Sequence, residues 1–150
     1  VPDLVLRRSC PETYPDILAR LRQTADLHLV ETCPMLSLQR RSKMGRALYQ
    51  YLQTEGSTSN VVLQSTNIEM LIELCFQNMG IFICPEVYIT NAFQEKPLSF
   101  MNQFHLFRLD FPGSEQEIAI NYLQYKYLSQ AAREFIRTMK SGVKDSLFAD

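Results

Sequence analysis

The sequence predicts an α/β fold: a mostly parallel sheet with flanking helices. Three observations carry that reading. Short apolar runs bounded by Pro, Gly or Ser recur along the chain, and such runs suit buried strands better than helices. Between them lie segments with the i, i+3, i+4, i+7 apolar spacing of amphipathic helices. Strand and helix signals then alternate through residues 34–84, the pattern of βαβ units.

Four segments fit the helical template. They are Tyr14, Ile17, Leu18, Leu21; Met44, Ala47, Leu48, Tyr51; Ile68, Leu71, Ile72, Cys75; and Ala132, Phe135, Ile136, Met139. Each has start or stop chemistry. Ser42 can cap the second, and Gly56 follows its end. Thr66 or Asn67 can cap the third, Glu69 sits in its first turn, and Asn78 or Gly80 can end it. Ser129 precedes the fourth and Gly142 follows it. The strand candidates are Leu4-Val5-Leu6, Met35-Leu36-Ser37-Leu38, Val61-Val62-Leu63, Ile81-Phe82-Ile83-Cys84 and Ile118-Ala119-Ile120, with Phe104 to Leu109 as a further one. The polar stretch Asn91 to Asn102, broken by Pro97, reads as a linker, and Pro112-Gly113-Ser114 as a turn.

Composition narrows the function classes. The chain has 150 residues, 46% of them apolar, which is enough to build a core without a metal or disulfide. A formal charge of −1 argues against a nucleic-acid-binding surface. No apolar run reaches the roughly 20 residues of a membrane span, and no secretion signal opens the chain. Val1-Pro2-Asp3 lacks a start methionine and reads as a cut from something longer. Charge is uneven: residues 1–50 hold eight Lys/Arg and five Asp/Glu, with the excess at Arg40, Arg41, Lys43 and Arg46. That cluster is a solvated helix start or the edge of an anion-facing pocket. Cys10, Cys33, Cys75 and Cys84 form no C-x-x-C pair, and they read as reduced thiols of a cytosolic protein.

Familiar catalytic signatures are missing from the sequence: no G-x-S-x-G, no Walker-type loop, no G-x-G-x-x-G and no H-E-x-x-H. His28 and His105 read as structural or surface residues, and no carboxylate pair suggests acid–base work. Two strand-to-helix junctions remain: Leu38-Gln39-Arg40-Arg41-Ser42 and Gln64-Ser65-Thr66-Asn67. In open α/β sheets ligands bind outside the carboxyl ends of the strands. Both junctions gather hydroxyls, amides and helix-start N–H groups, which suits an anion, or equally a plain N-cap.

The order of these segments resembles LysR-type transcriptional regulators. Pro34-Met35-Leu36-Ser37-Leu38, Arg41-Ser42-Lys43-Met44-Gly45-Arg46-Ala47-Leu48 and Gly56 are similar to that family's strand, cap, helix and glycine. Gln64 to Leu74 resembles its polar cap and apolar helix. Asn78-Met79-Gly80-Ile81-Phe82-Ile83-Cys84-Pro85 resembles its glycine-bounded strand ending in proline, with Asn78 where glycine is usual. Tyr127 to Ile136 is similar to its closing passage, a leucine–serine pair capping a helix with paired alanines. The resemblance covers residues 34–140, while Cys10 to Thr32 matches poorly.

The resemblance implies an effector domain with the type II periplasmic-binding-protein fold. Residues 1–95 would form its second lobe, and residues 96–150 would return to the first lobe through crossover strands and a helix. The implied function is non-enzymatic sensing of a small-molecule effector between lobes. DNA would be bound only through an N-terminal helix-turn-helix segment absent from this chain. Implied effector contacts are Gln39, Arg40, Ser42, Thr66 and Asn67, with Phe82 at the crossing point. Arg40 or Arg41 would favour an anionic effector. No cofactor or metal is implied. The expected assembly is a homodimer or tetramer, cytoplasmic and not membrane-bound. The competing readings are a solute-binding lobe of a transport or receptor protein of the same fold, and a small α/β enzyme.

Overall fold

Met35, Leu36, Ser37 and Leu38 are buried without interruption and form the central strand, β1 (Met35–Leu38). A run buried on both faces is what a parallel sheet covered by helices demands. In the computed structural model, which describes residues 1–94, 96–115, 120–123 and 127–142, β1 is flanked by β2 (Val61–Ser65) and β3 (Ile81–Phe82). Both pairings are parallel, in the order β2-β1-β3. The chain therefore leaves β1 for one side of the sheet and returns to the other. The expected α/β class with a parallel sheet and flanking helices is what the chain adopts.

The crossovers are helices with the caps their sequences supply. α3 (Lys43–Thr54) joins β1 to β2, and Ser42 Oγ accepts from the Gly45 N–H at 2.9 Å. Its far end closes on Gly56 at φ +68°, with the Ser57 N–H bonded to the Leu52 carbonyl. α4 (Ile68–Phe76) joins β2 to β3, and Asn67 Oδ1 accepts from the Met70 N–H at 3.0 Å. Asn78 ends it in the left-handed conformation, φ 60°, with the Met79 N–H reaching the Leu74 carbonyl at 3.1 Å. Gly80 then lets β3 come alongside β1: a Cβ there would meet the Pro34 carbonyl oxygen at 2.6 Å.

Several expectations are corrected. Leu4-Val5-Leu6 is not a strand but part of α1 (Asp3–Ser9). Asp3 lies in its first turn and Arg7 and Arg8 in its last, which suits the helix dipole, and Arg7 pairs with Asp3 at 2.5 Å. Val5 and Leu6 are buried, whereas Leu4 faces solvent at 40% exposure. Phe104 to Leu109 is not a strand either. Its ladder is a single antiparallel bridge, Pro2 to Phe104. The stretch Asn91 to Asn102, expected to be a linker, instead takes in the end of α5 (Glu86–Gln94) and the whole of α6 (Leu98–Met101). Val61-Val62-Leu63 is a strand but not a buried one; as the outer strand it leaves Val62 54% exposed. Of the Ile118–Ile120 run, residues 118 and 119 lie outside the described residues, and Ile120 is in no strand.

Two compact units divide the chain: Val1–Glu115 and Gln116–Asp150. In the first, α1, α2 (Tyr14–Thr24) and the 3-10 helix Leu27–Val30 add Val5, Leu6, Leu21 and Val30 to a core built on β1, β3, α3 and α4. A second apolar cluster gathers Ile72, Phe76, Phe93 and Phe104. Phe76 is its hub, with the rings of Phe93, Phe100 and Phe104 centred 5.1–5.2 Å away in tilted and edge-on arrangements. These contacts explain why α5 and α6 pack against α4: their scattered aromatics reach one helix face. Residues 96–115 therefore pack with residues 1–94. In the second unit, α7 (Gln130–Gly142) begins after Ser129, whose Oγ accepts from the Ala132 N–H at 3.2 Å. No helix among the described residues is long and apolar enough to cross a membrane.

Candidate functional site

The strand order reverses at β1, so the switch point of the sheet lies at the carboxyl ends of β1 and its neighbours. The first junction begins there. The Gln39 N–H donates to the Ser65 carbonyl at 3.0 Å, adding a bond to the β1–β2 ladder beyond the Leu38–Ser65 pair. The Gln39 carbonyl accepts both the Ser42 N–H and the Ser42 hydroxyl, each at 3.0 Å, closing a tight turn into α3. Gly45 makes that turn possible: a Cβ would lie 2.3 Å from the Gln39 carbonyl oxygen and 2.8 Å from that of Leu38.

The second junction is built alike. Ser65 Oγ accepts from the Asn67 N–H at 3.1 Å, and Asn67 in turn caps α4. Because Gln39 bonds Ser65, residues 39–42 and 65–67 form one continuous edge. Ser42 and Asn67 thus spend their side-chain oxygens on caps. The Gln39 and Thr66 side chains make no hydrogen bond among the described residues, and Thr66 is exposed. Each helix start also carries first-turn N–H groups that no backbone carbonyl in the helix can satisfy. Together these supply amide, hydroxyl and main-chain donors to an anion or polar small molecule.

The other two expected residues sit apart. The Arg40 guanidinium stacks on the Tyr49 ring at 3.4 Å. Arg40 and Tyr49 line a cavity of about 320 Å³ between α3 and β2, shared with Ser37, Gly45, Gln53 and Gln64. Thr66 and Asn67 do not line it. Phe82 pairs with Leu36 on the other side of β1 and is half-buried against both apolar clusters. Gly45 and Tyr49 line this cavity and are candidate residues the sequence did not single out for a site. A glycine inside a helical period was the available signal for the first; nothing local pointed to the second.

Charge around the site is sparsely paired. No ion pair among the described residues involves Arg40, Arg41, Lys43 or Arg46. Behind Thr58, which lines the cavity, Glu31 Oε1 accepts from the Thr58 N–H at 3.1 Å and lies 2.8 Å from His28 Nδ1. The Glu31 carboxyl is lowered from its ordinary range by polar neighbours, the Ser57 hydroxyl first and then His28 and the Thr58 N–H, although Ser57 Oγ makes no full hydrogen bond among the described residues. No group of three or more His, Cys, Asp or Glu among the described residues could hold a metal ion.

No curated protein and no solved structure matches the chain. A protein-family model does. The LysR substrate binding domain matches residues 8–144, nearly the whole sequence, and the chain belongs to that family.

Proposed function

We propose that this chain is the effector-sensing part of a LysR-type transcriptional regulator, and that its effector contacts the edge formed by Gln39, Ser42, Thr66 and Asn67. The single observation that carries this reading is the Gln39–Ser65 hydrogen bond. It turns two helix starts, distant in sequence, into one donor-lined edge at the switch point of a parallel sheet. Membership of the family supports the sensing role. Residues 1–95 build one lobe, onto which residues 96–115 fold, and the remainder returns toward the other lobe. Arg40 supplies positive charge at the margin, which favours a carboxylate or similar anion, and Phe82 is assigned to the crossing point of the lobes. The reading is non-enzymatic, cytoplasmic and oligomeric, with DNA bound by a helix-turn-helix segment outside these residues. Effector binding shifts the population between open and closed lobes, and that shift is transmitted to DNA binding.

Isothermal titration of the full-length regulator with a panel of small carboxylates and amino acids tests the proposal. Binding by one of them should weaken at least tenfold in Thr66→Ala and Arg40→Ala, at unchanged folding. Binding that ignores both substitutions would place the effector elsewhere, and no binding across the panel would remove the anionic-effector reading.

A further inference from the structure

The cavity between α3 and β2 stands apart from the edge that holds the effector: neither Thr66 nor Asn67 lines it. At about 320 Å³ it has room for one small metabolite. Its charge is one-sided. Arg40 is the one charged side chain in its lining, and it has no ion pair among the described residues. The guanidinium sits over the Tyr49 ring at 3.4 Å. Stacking of this kind steadies the cation and leaves its in-plane N–H donors available.

The rest of the wall is neutral and polar. Ser57, Thr58 and Ser59 contribute hydroxyls, Gln53 and Gln64 carboxamides, beside the buried Leu38 and Leu52. The side chains of Gln53, Thr58, Ser59 and Gln64 make no hydrogen bond among the described residues. Ser57 is only 8% exposed, yet its Oγ has no full hydrogen bond. A buried hydroxyl without a partner is uncommon in folded proteins, and an occupant of the cavity could supply one. No carboxylate lines the cavity, and Glu31 behind Thr58 is already engaged by the Thr58 N–H and His28 Nδ1. An ammonium group would find no partner here, which argues against an amino acid.

We infer that this cavity is a second ligand site, separate from the edge, and that it takes a small polyhydroxylated anion: a chain of hydroxyls ending in one acidic group. The acidic group pairs with Arg40 through charge-assisted hydrogen bonds. The hydroxyls bond the free carboxamides of Gln53 and Gln64 and the hydroxyl of Ser59, toward the Ser57 end. A ligand there touches β1, α3 and β2 at once. It would brace the two strands from whose ends both helix starts emerge.

Three probes test the site by isothermal titration of the full-length protein. D-gluconate, sorbitol phosphate and sorbitol share one chain of hydroxyls and differ in the group at its end. At least one of the two anions should bind, and sorbitol should bind about tenfold more weakly or worse. Binding of gluconate alone assigns the site to sugar acids, and binding of sorbitol phosphate alone to sugar phosphates. The double variant Gln53→Ala, Ser59→Ala should weaken the anion about tenfold. Its urea midpoint should match the parent, because neither side chain bonds within the fold. Thr66→Ala, at the edge, should leave this binding unchanged, so the two sites answer to different variants and either can fail alone. No binding of either anion at millimolar concentration, equal binding of sorbitol, or loss in Thr66→Ala with none in the double variant would each overturn the inference.

Discussion

The α-carbon of Gly45 lies directly against the carbonyl of Gln39: a Cβ added at Gly45 would sit 2.3 Å from that oxygen, closer than any real contact. The Gln39 carbonyl cannot retreat, because it accepts two bonds from Ser42 while its own N–H holds the Ser65 carbonyl. Gly45→Ala should therefore cost about 1–3 kcal/mol, as overpacking does. Urea unfolding checks it. A variant as stable as the parent would mean that α3 shifts freely against β1.

Loss of either cap should be felt, but not equally. Asn67→Ala removes an acceptor from the Met70 N–H and should cost about 0.5–2 kcal/mol. Ser42→Ala removes an acceptor from Gly45 and a donor to Gln39 together, so it should lie at the upper end of that range. Because both caps share one edge, the double variant should depart from additivity by about 0.5 kcal/mol or more. Additive losses would show that the two junctions are energetically separate.

Phe76 holds three other aromatic rings in place while only 5% exposed. Phe76→Ala should destabilise by about 3–5 kcal/mol. It should also increase proteolysis within α5 and α6, whose burial depends on that ring. Cleavage confined to other segments would contradict this account of why α5 and α6 pack against α4.

Acid should loosen the attachment of α1. Burial alone would raise the Asp3 carboxyl, but hydrogen bonds from Tyr14, His105 and Arg7 outweigh it and hold the group at about 2, against an ordinary 3.8. A carboxyl depressed in the folded state contributes stability that is present above its unfolded value and lost as pH falls toward the folded one. Urea midpoints at about pH 5 and about pH 2.5 should thus differ more in the parent than in Asp3→Asn. Equal differences would mean that Asp3 titrates as an ordinary surface carboxyl.

Alkali acts through the opposite sign. Burial, with Cys75 adding to it, pushes the Cys84 thiol up to about 12 from an ordinary 9.0. A raised folded value gives stability that is intact below the unfolded value and lost as pH climbs through the folded one. Stability should decline between about pH 9 and about pH 12, and less so in Cys84→Ala. Native-state alkylation at about pH 9 should also reach Cys10 well before Cys84.

The periodic helices α2, α3 and α4 were legible because a solvent-facing helix writes its buried face into the sequence, and caps were legible because capping is local chemistry; α7 keeps the same spacing although Phe135 is 61% and Met139 41% exposed. Leu4-Val5-Leu6 misled for the same reason: three adjacent apolar residues carry no period, and only the burial of Val5 and Leu6 with Leu4 turned outward decides for helix. The α5 and α6 aromatics become meaningful only once Phe76 is there to receive them. At the site, each junction could be read from its own residues. Their union through Gln39 and Ser65 could not, since it depends on β2 lying beside β1. The pairing of Arg40 with Tyr49 is likewise tertiary.

The central position of β1 has a kinetic consequence. Met35 pairs with Val61 on one side and Ile81 on the other, partners some 26 and 46 residues further along the chain. No hairpin can nucleate such a sheet, and each rung waits for a helical crossover to close its loop. Folding should be slow for a domain of this size, with the transition state organised around β1 and α3. The amides of β1 should exchange last with deuterated solvent.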